Sequence, residues 1–488
     1  MKYQLLILLL TLSGFSLQAS SRQPNIILIY ADDLGAGLLG CYGQTIIQTP
    51  NIDRLANEGM QFSNMYGSVY CAPARATLLT GLHQGRKGVW NISKAGKTIA
   101  MDKGQLTAER LEQQLKSHIA AKPGEVFLAQ VAQVAQEAGY KTAQFGKLDW
   151  GFQTTHQRLK RHGWDHYLGY LDHQRAHGFY PTYLWLNGQK LPLEGNTNLN
   201  AGKTKESYGK GTTATRRDKT GKKHYSQNVF IRHILNYIED NQEHPFFIYH
   251  STQLPHGPVD IPEVHEDFIN DDRLSEVEKE YASMVKMLDD HVGLILKKLE
   301  ELELDNDTII FFTSDNGHEI YYLEPKIKAN GRRLEYHGEG DVFRGSGDLA
   351  GLKWTSWQGG INVPMIARWP GKIKANSSSE LLCANYDFMA TFSELMETEA
   401  PQGKDGISLL PTLLASGKQI EHESVFVGNN ALITQDGWKL VHHEKKYYLF
   451  NLKNDPGERN NLAQGNPEKL QAIQKIFNRE QNSQRKDL

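Results

Sequence analysis

The chain has 488 residues, 39 % of them hydrophobic and 23 % charged, with 44 glycines against 17 prolines. This is globular composition and excludes a disordered, collagen-like or coiled-coil chain, while a net charge of −2 offers no protein-wide basic field for nucleic acid. The three cysteines, Cys41, Cys71 and Cys383, close at most one disulfide and leave an odd thiol to explain.

Residues 1–19 read as a secretory signal peptide. Lys2 gives a positive start, an apolar run covers 5–12, and small polar residues follow up to Ser20. The run is too short for a membrane helix, which needs about 20 residues, so cleavage is expected after Ala19, giving a secreted or periplasmic chain with no membrane anchor. Ile26-Ile27-Leu28-Ile29-Tyr30 then predicts a strand buried on both faces. A helix is predicted over 49–59, with Pro50 in its first turn and Gly59 past its end. A second helix over 125–138 stops at Gly139, and a strand over 140–145 follows.

Residues 190–227 are rich in Gly, Thr, Asn and Lys without any period, and predict a mobile basic insertion. Residues 201–224 carry a local charge of +6, which reads either as a solvated loop or as a clamp for a polyanion. Strands are predicted over 246–250, 308–313 and 363–367. Between the first two lies the clearest helix: Ser275 and Glu278 form a capping box, and Tyr281, Met284, Val285, Leu288, Val292, Ile295 and Leu299 share one face. Alternating strands and helices argue for a mostly parallel sheet covered by helices. From residue 424 the texture changes to short β-like runs (424–427, 438–442 and 446–451) and a polar helix from 467. The expected division is a large α/β domain over 20–420 and a small α+β subdomain over 421–488, with an antiparallel sheet and a terminal helix.

In such sheets ligands bind at the carboxyl ends of the strands. Two predicted strand ends carry paired oxygen ligands, Asp32-Asp33 and Asp315-Asn316, and hard oxygens converging this way suit calcium or magnesium. The sharpest local signal is Cys71-Ala72-Pro73-Ala74-Arg75. On residues alone it is either a buried thiol before a helix-starting proline or a thiol nucleophile whose pKa Arg75 lowers. The nineteen histidines lack a compact zinc-ligand spacing.

With Thr80-Gly81 at the right distance, the Cys-x-Pro-x-Arg pattern resembles the signature of the type I, formylglycine-dependent sulfatases. Segments 24–35, 49–59, 139–147, 245–258, 281–299, 314–317, 353–371 and 455–463 resemble blocks of that family in the family's order. The resemblance implies an alkaline-phosphatase-like α/β/α sandwich and a sulfuric ester hydrolase. It implies one calcium ion held by Asp32, Asp33, Asp315 and Asn316, with formylglycine made from Cys71 completing the site. A formylglycine-generating enzyme is the implied maturation partner. Arg75 matches the arginine that orients the formylglycine, Lys147 and Lys353 the two active-site lysines, and His256 the histidine near the leaving group. The hydrated aldehyde has two hydroxyls on one carbon. One attacks sulfur while calcium and Lys353 stabilise the sulfuryl oxygens, and the other loses its proton to expel sulfate. His256 or Lys353 protonates the departing alcohol.

Three positions depart from the family pattern. Gly146-Lys147-Leu148-Asp149 stands where Gly-Lys-Trp-His is common, so Asp149 is the expected replacement for the histidine base, with His156 or another histidine as the alternative. Gln358 replaces a glutamate and Asn362 an arginine, which suggests a lost ion pair exchanged for neutral hydrogen bonds. Arg175-Ala176-His177-Gly178-Phe179-Tyr180-Pro181 resembles a segment of sulfatases acting on sulfated sugars, making His177 and Arg175 candidates to hold a sugar hydroxyl or neighbouring sulfate. The other reading is an aromatic cluster that packs a loop. The expected substrate is a sulfated oligo- or polysaccharide, either a carrageenan-type galactan or a glycosaminoglycan. A formylglycine-dependent phosphoester or phosphonate hydrolase and a non-catalytic sulfated-glycan-binding protein are the rival readings.

Overall fold

The computed structural model describes residues 23–85, 95–119, 130–150, 153–197, 216–322 and 336–482; the expected signal peptide lies outside them. The main sheet contains β1 (Asn25–Ala31), β2 (Met60–Phe62), β4 (Lys141–Lys147), β5 (His166–Tyr170), β6 (Tyr183–Leu186), β7 (Gln189–Pro192), β8 (Phe246–Ser251), β9 (Thr308–Ser314), β10 (Met365–Arg368) and β11 (Ser377–Ser379). A separate two-stranded ribbon pairs β3 (Met65–Tyr66) with β12 (Cys383–Ala384). The main sheet runs β11-β2-β10-β9-β1-β8-β4-β5-β6-β7. Its centre, β9-β1-β8-β4-β5, is parallel, and antiparallel pairs flank it at β10 and β6.

The unbroken apolar run of β1 is explained by burial on both faces. Ile27 and Ile29 pack with helices α1 (Pro50–Asn57), α4 (Ser226–Asp240) and α5 (Glu276–Glu301). Ile26, Leu28 and Tyr30 face α2 (Cys71–Thr80), α3 (Val131–Glu137) and α6 (Asp387–Leu395) on the other side. The result is an α/β/α sandwich. Helix α5 begins at the predicted capping box, in which the Ser275 backbone N–H donates to Glu278 at 2.7 Å.

At the C-terminus β13 (Ser424–Val427), β14 (Ala431–Thr434), β15 (Trp438–His443) and β16 (Lys446–Asn451) form an antiparallel meander. One face packs on Trp357 and Tyr386 of the main body. The other receives Ile473 and Phe477 of α7 (Pro467–Asn482). A buried pair joins the two parts: Lys439 Nζ lies 2.6 Å from Glu458, whose other oxygen accepts the Gln358 backbone N–H at 2.6 Å. The side chain of Gln358 meets the Tyr66 hydroxyl, and that of Asn362 donates to the Ser63 carbonyl. These neutral hydrogen bonds stand where the sequence suggested a lost ion pair.

The basic insertion needs correction where it is described. Residues 189–192 are strand, and the four cations of 216–222 are matched by carboxylates of the body. Arg216 meets Glu280, Arg217 meets Glu276, and Lys219 and Lys222 reach Asp260 at 2.9 and 3.1 Å. Charges already paired this way cannot act as a free polyanion clamp; the rest of the insertion lies outside the described residues. All three cysteines are unpaired with one another. No helix among the described residues is long and apolar enough to cross a membrane.

Candidate active site

The carboxyl ends of β1 and β9 are neighbours in register, Ala31 opposite Ser314, so the residues that follow them, Asp32-Asp33 and Asp315-Asn316, emerge side by side. The Asp33 N–H donates to Asp315 Oδ1 at 3.0 Å, and Asn316 Nδ2 donates to Asp33 Oδ1 at 2.8 Å. Asp33 adopts a left-handed backbone (φ 64°), one of the few conformations at positive φ that aspartate tolerates. Gly317 is required: a Cβ there would lie 2.0 Å from the Gly359 carbonyl, which explains why Asp315-Asn316-Gly317 and Gly359-Gly360 occur together. Helix α2 opens at this point with Cys71 in its first turn, and its Sγ lies within 4.8 Å of carboxylate oxygens of Asp32 and Asp315.

Cations close the site from three directions. Arg75, one turn into α2, is fully buried; its guanidinium donates to Asp315 Oδ2 at 2.9 Å and to Ser251 Oγ, and lies 5.3 Å from the centre of the Tyr30 ring. Lys147 arrives from the end of β4 and meets Asp32. Its approach depends on Gly146 (φ 106°), where a Cβ would sit 1.9 Å from the Ser251 carbonyl. Lys353 donates to Asp33 Oδ2 at 2.8 Å. The sequence-predicted residues Asp32, Asp33, Cys71, Arg75, Lys147, Asp315, Asn316 and Lys353 thus form one buried cluster.

The electrostatics are unusual for a protein interior. Burial alone would raise Asp32, but Lys147, Arg75 and Lys353 together hold it below the ordinary carboxylate range. Asp33 is held down likewise, burial being outweighed by Lys353 and His256. Asp315 goes the other way: burial first, then Asp32, pushes it up to about 8. Burial opposes the charge on Lys353, yet Asp33, Cys71 and Asp32 outweigh it and raise its pKa. Asp32 Oδ1 and Asn316 Oδ1 are buried and accept no hydrogen bond from the described residues. Buried oxygens left without donors are costly, and a hard divalent cation is the group this donor set fits. Burial also raises the Cys71 thiol above its usual pKa despite Lys147 and Lys353, and Arg75, expected to lower it, is engaged with Asp315 and Ser251.

His256 joins the cluster, its Nε2 3.5 Å from Asp33 Oδ2 and its Nδ1 against the Gly257 carbonyl. Burial, reinforced by Lys353, drives its pKa well down. His177 stacks on it, with ring centres 4.3 Å apart and planes 9° from parallel, so His177 stands beside the cluster.

Two expected residues are engaged by other partners. Asp149 is turned by a left-handed backbone (φ 59°). Its oxygens are taken by His162 Nδ1 at 2.7 Å and Thr154 Oγ1 at 2.7 Å, with Arg158 at 3.8 Å. Burial notwithstanding, His162 and Arg158 hold it below the usual carboxylate range. This carboxylate ties a loop together through those three partners. Arg175 donates to Asp102 at 2.6 Å, and Tyr183 and Lys190 converge on the same carboxylate; this network anchors a loop.

His173 was not among the sequence-derived site residues. It follows the end of β5, the strand adjacent to β4, with Tyr170 in register with Lys147. The side chain is buried. Burial lowers its pKa strongly, and Lys147, Arg75, Asp32 and His256 all act on it. No spacing motif in the sequence marks it; only the pairing of β4 with β5 brings it near Lys147.

Carboxylates at the ends of adjacent parallel strands, a helix N-terminus carrying Cys71 and converging lysines stand on an α/β/α sandwich of the alkaline-phosphatase-like fold. The Sulfatase family model matches residues 24–398, and the model of the N-sulphoglucosamine sulphohydrolase C-terminal region matches 353–487. The chain belongs to the sulfatase family and is a sulfuric ester hydrolase. It is 28 % identical to N-acetylgalactosamine-6-sulfatase of Sus scrofa, covering 96 % of this chain and 88 % of the relative. It is 27 % identical to N-acetylgalactosamine-6-O-sulfatase of Bacteroides thetaiotaomicron, covering 94 % and 93 %. Among solved structures, Ps i-CgsB in complex with k-i-k-neocarrahexaose aligns with a TM-score of 0.67 at 23 % identity over 93 % of both chains.

Proposed function

We propose that this chain is an exported carbohydrate sulfatase that removes a sulfate ester from a sulfated oligo- or polysaccharide of glycosaminoglycan or carrageenan type. The convergence of Asp32, Asp33, Asp315 and Asn316 on Cys71, between Lys147, Lys353 and Arg75, carries this reading. Relatives named for N-acetylgalactosamine 6-sulfate, and a structural neighbour bound to a carrageenan oligosaccharide, support the substrate class.

The four oxygen residues would hold calcium, and residue 71 would act as formylglycine. Together these groups supply a geminal hydroxyl nucleophile and charge stabilisation for the sulfuryl oxygens. The chain's own residues do the rest. Arg75 fixes the first turn of α2 through Asp315 and Ser251. Lys147 and Lys353 present positive charge to a sulfate entering above Asp32 and Asp33. Of the two groups expected to protonate the leaving alcohol, Lys353 is the one that carries a proton, beside Asp33, and gives it to the departing oxygen. His256, with Nδ1 engaged by a carbonyl and its pKa driven down, presents an unprotonated Nε2. His173, buried in the field of Lys147, Arg75 and Asp32, is the candidate for the base role expected of Asp149, accepting the proton whose loss expels sulfate. His177, stacked on His256, borders the sugar.

The test is sulfate release from chondroitin, dermatan, heparan and carrageenan oligosaccharides after co-expression with a formylglycine-generating enzyme. Release from a sulfated galactosamine or galactan member is expected. Absence of release from every member, with residue 71 shown to be converted, would refute the substrate class.

A further inference from the structure

Beside the buried cluster stands an aromatic pair that the reaction does not require. Tyr70 immediately precedes Cys71 and Trp354 immediately follows Lys353; their rings stack with centres 4.5 Å apart and planes 25° from parallel. Cys71 and Lys353 are each 3 % exposed, whereas Trp354 is 56 % exposed, the one aromatic among the large hydrophobic side chains that stand out to solvent in the described residues. The Lys353 ammonium lies 5.6 Å from the Trp354 ring centre and 2.8 Å from Asp33. The indole is therefore at the mouth of the anion pocket.

Its placement is enforced. Trp354 has a φ of 73°, a conformation that bulky residues rarely adopt, and its backbone N–H donates to the Val69 carbonyl at 2.7 Å. That bond ties the segment carrying Lys353 to the segment carrying Cys71. A large apolar ring held in solvent at backbone cost, next to a polar anion site, is the arrangement expected of a binding residue rather than of packing.

We propose that Trp354, backed by Tyr70, is a stacking platform for a pyranose ring of the sulfated glycan, the ring that lies at the pocket mouth when its sulfate reaches Lys147 and Lys353. The electron-rich face of the indole attracts the C–H face of a sugar, while sulfate itself gains nothing from it. This inference rests on the carbohydrate reading and extends it to a subsite.

The test uses full-length Cys71→Ala, which cannot turn over, loaded with calcium and titrated calorimetrically with carrageenan and chondroitin sulfate tetrasaccharides and, separately, with inorganic sulfate. Trp354→Gly removes the ring and suits the left-handed backbone; Trp354→Phe keeps a ring. Tetrasaccharide affinity is expected to fall by about tenfold or more in Trp354→Gly, the scale of one lost aromatic stack, and to be largely retained in Trp354→Phe. Inorganic sulfate affinity should shift by less than about twofold, since sulfate has no ring to stack. Equal weakening of both ligands, no weakening of either, or no tetrasaccharide binding to the parent would overturn the platform. Ring-dependent binding in a chain whose converted, wild-type form releases no sulfate would instead overturn the catalytic reading and leave the platform standing.

Discussion

Replacing Asp149 by Asn separates a structural carboxylate from a catalytic base. The substitution keeps shape and one acceptor, so the bond from Thr154 can persist. It removes the charge that faces His162 at 2.7 Å and the buried Arg158 at 3.8 Å. Breaking one side of a buried ion pair costs about 3–5 kcal/mol. The His162 side chain is 15 % exposed and can be partly resolvated, which places the loss near the lower end, about 3 kcal/mol. Unfolding entropy of about 2.1 cal/mol/K per residue amounts to about 1 kcal/mol/K over this chain, so the melting midpoint falls by about 3 °C. Because the folded pKa of Asp149 is lowered, its stabilisation is fully present above the unfolded value near 3.9 and is lost as pH falls through the folded value. The difference from wild type should therefore shrink as pH falls below about 4. Differential scanning calorimetry measures the shift, and sulfate release by the folded variant should stay within about twofold of wild type, because losing a general base costs about 10²–10⁴ instead. A hundredfold fall in kcat with an unchanged midpoint would refute the reasoning and return the base role to Asp149.

Three further outcomes follow from the same geometry. His173→Ala should lower kcat by about 10²–10⁴ while KM changes little, read by steady-state sulfate release; an unchanged kcat would remove His173 from the reaction. Glu458→Ala, which strands the buried Lys439 and frees the Gln358 N–H, should destabilise the protein by about 3–5 kcal/mol, seen as a lower melting midpoint with the C-terminal sheet lost first in hydrogen exchange. His422 lies 2.8 Å from Asp387; burial disfavours its charge but Asp387 outweighs that, so its folded pKa is raised. Its stabilisation is present below the unfolded pKa and lost as pH rises through the folded one. The stability difference between wild type and His422→Phe should accordingly shrink between pH 6 and 9, and a difference growing with pH would contradict the assignment.

Much of this architecture is written locally. The apolar runs of β1, β8 and β9 are legible because central parallel strands are buried on both faces, and Ser275 with Glu278 marks the start of α5 without tertiary information. Asp32-Asp33 and Asp315-Asn316 are legible because strand ends are where such sheets bind ligands. What was not legible depends on contacts between distant segments. Asp149 follows Lys147 by two residues, so its alignment pointed to the site; a left-handed turn gives its carboxylate the partners His162 and Thr154. Arg175 meets a carboxylate, Asp102, from a helix over 70 residues earlier. His173 reaches Lys147 only through the register of β4 on β5, and β5, β6 and β7 are too short and too mixed in polarity to announce themselves. The basic insertion looked unpaired because Asp260, Glu276 and Glu280 lie far from it in the chain.

The most direct test of the central claim compares inorganic sulfate release by wild type and Cys71→Ala, both co-expressed with a formylglycine-generating enzyme and assayed with calcium on sulfated galactosamine and carrageenan oligosaccharides. Release by wild type alone is the predicted result. Equal release by both chains would contradict residue 71 as the nucleophile; no release by a fully converted wild type would contradict the sulfated-carbohydrate reading.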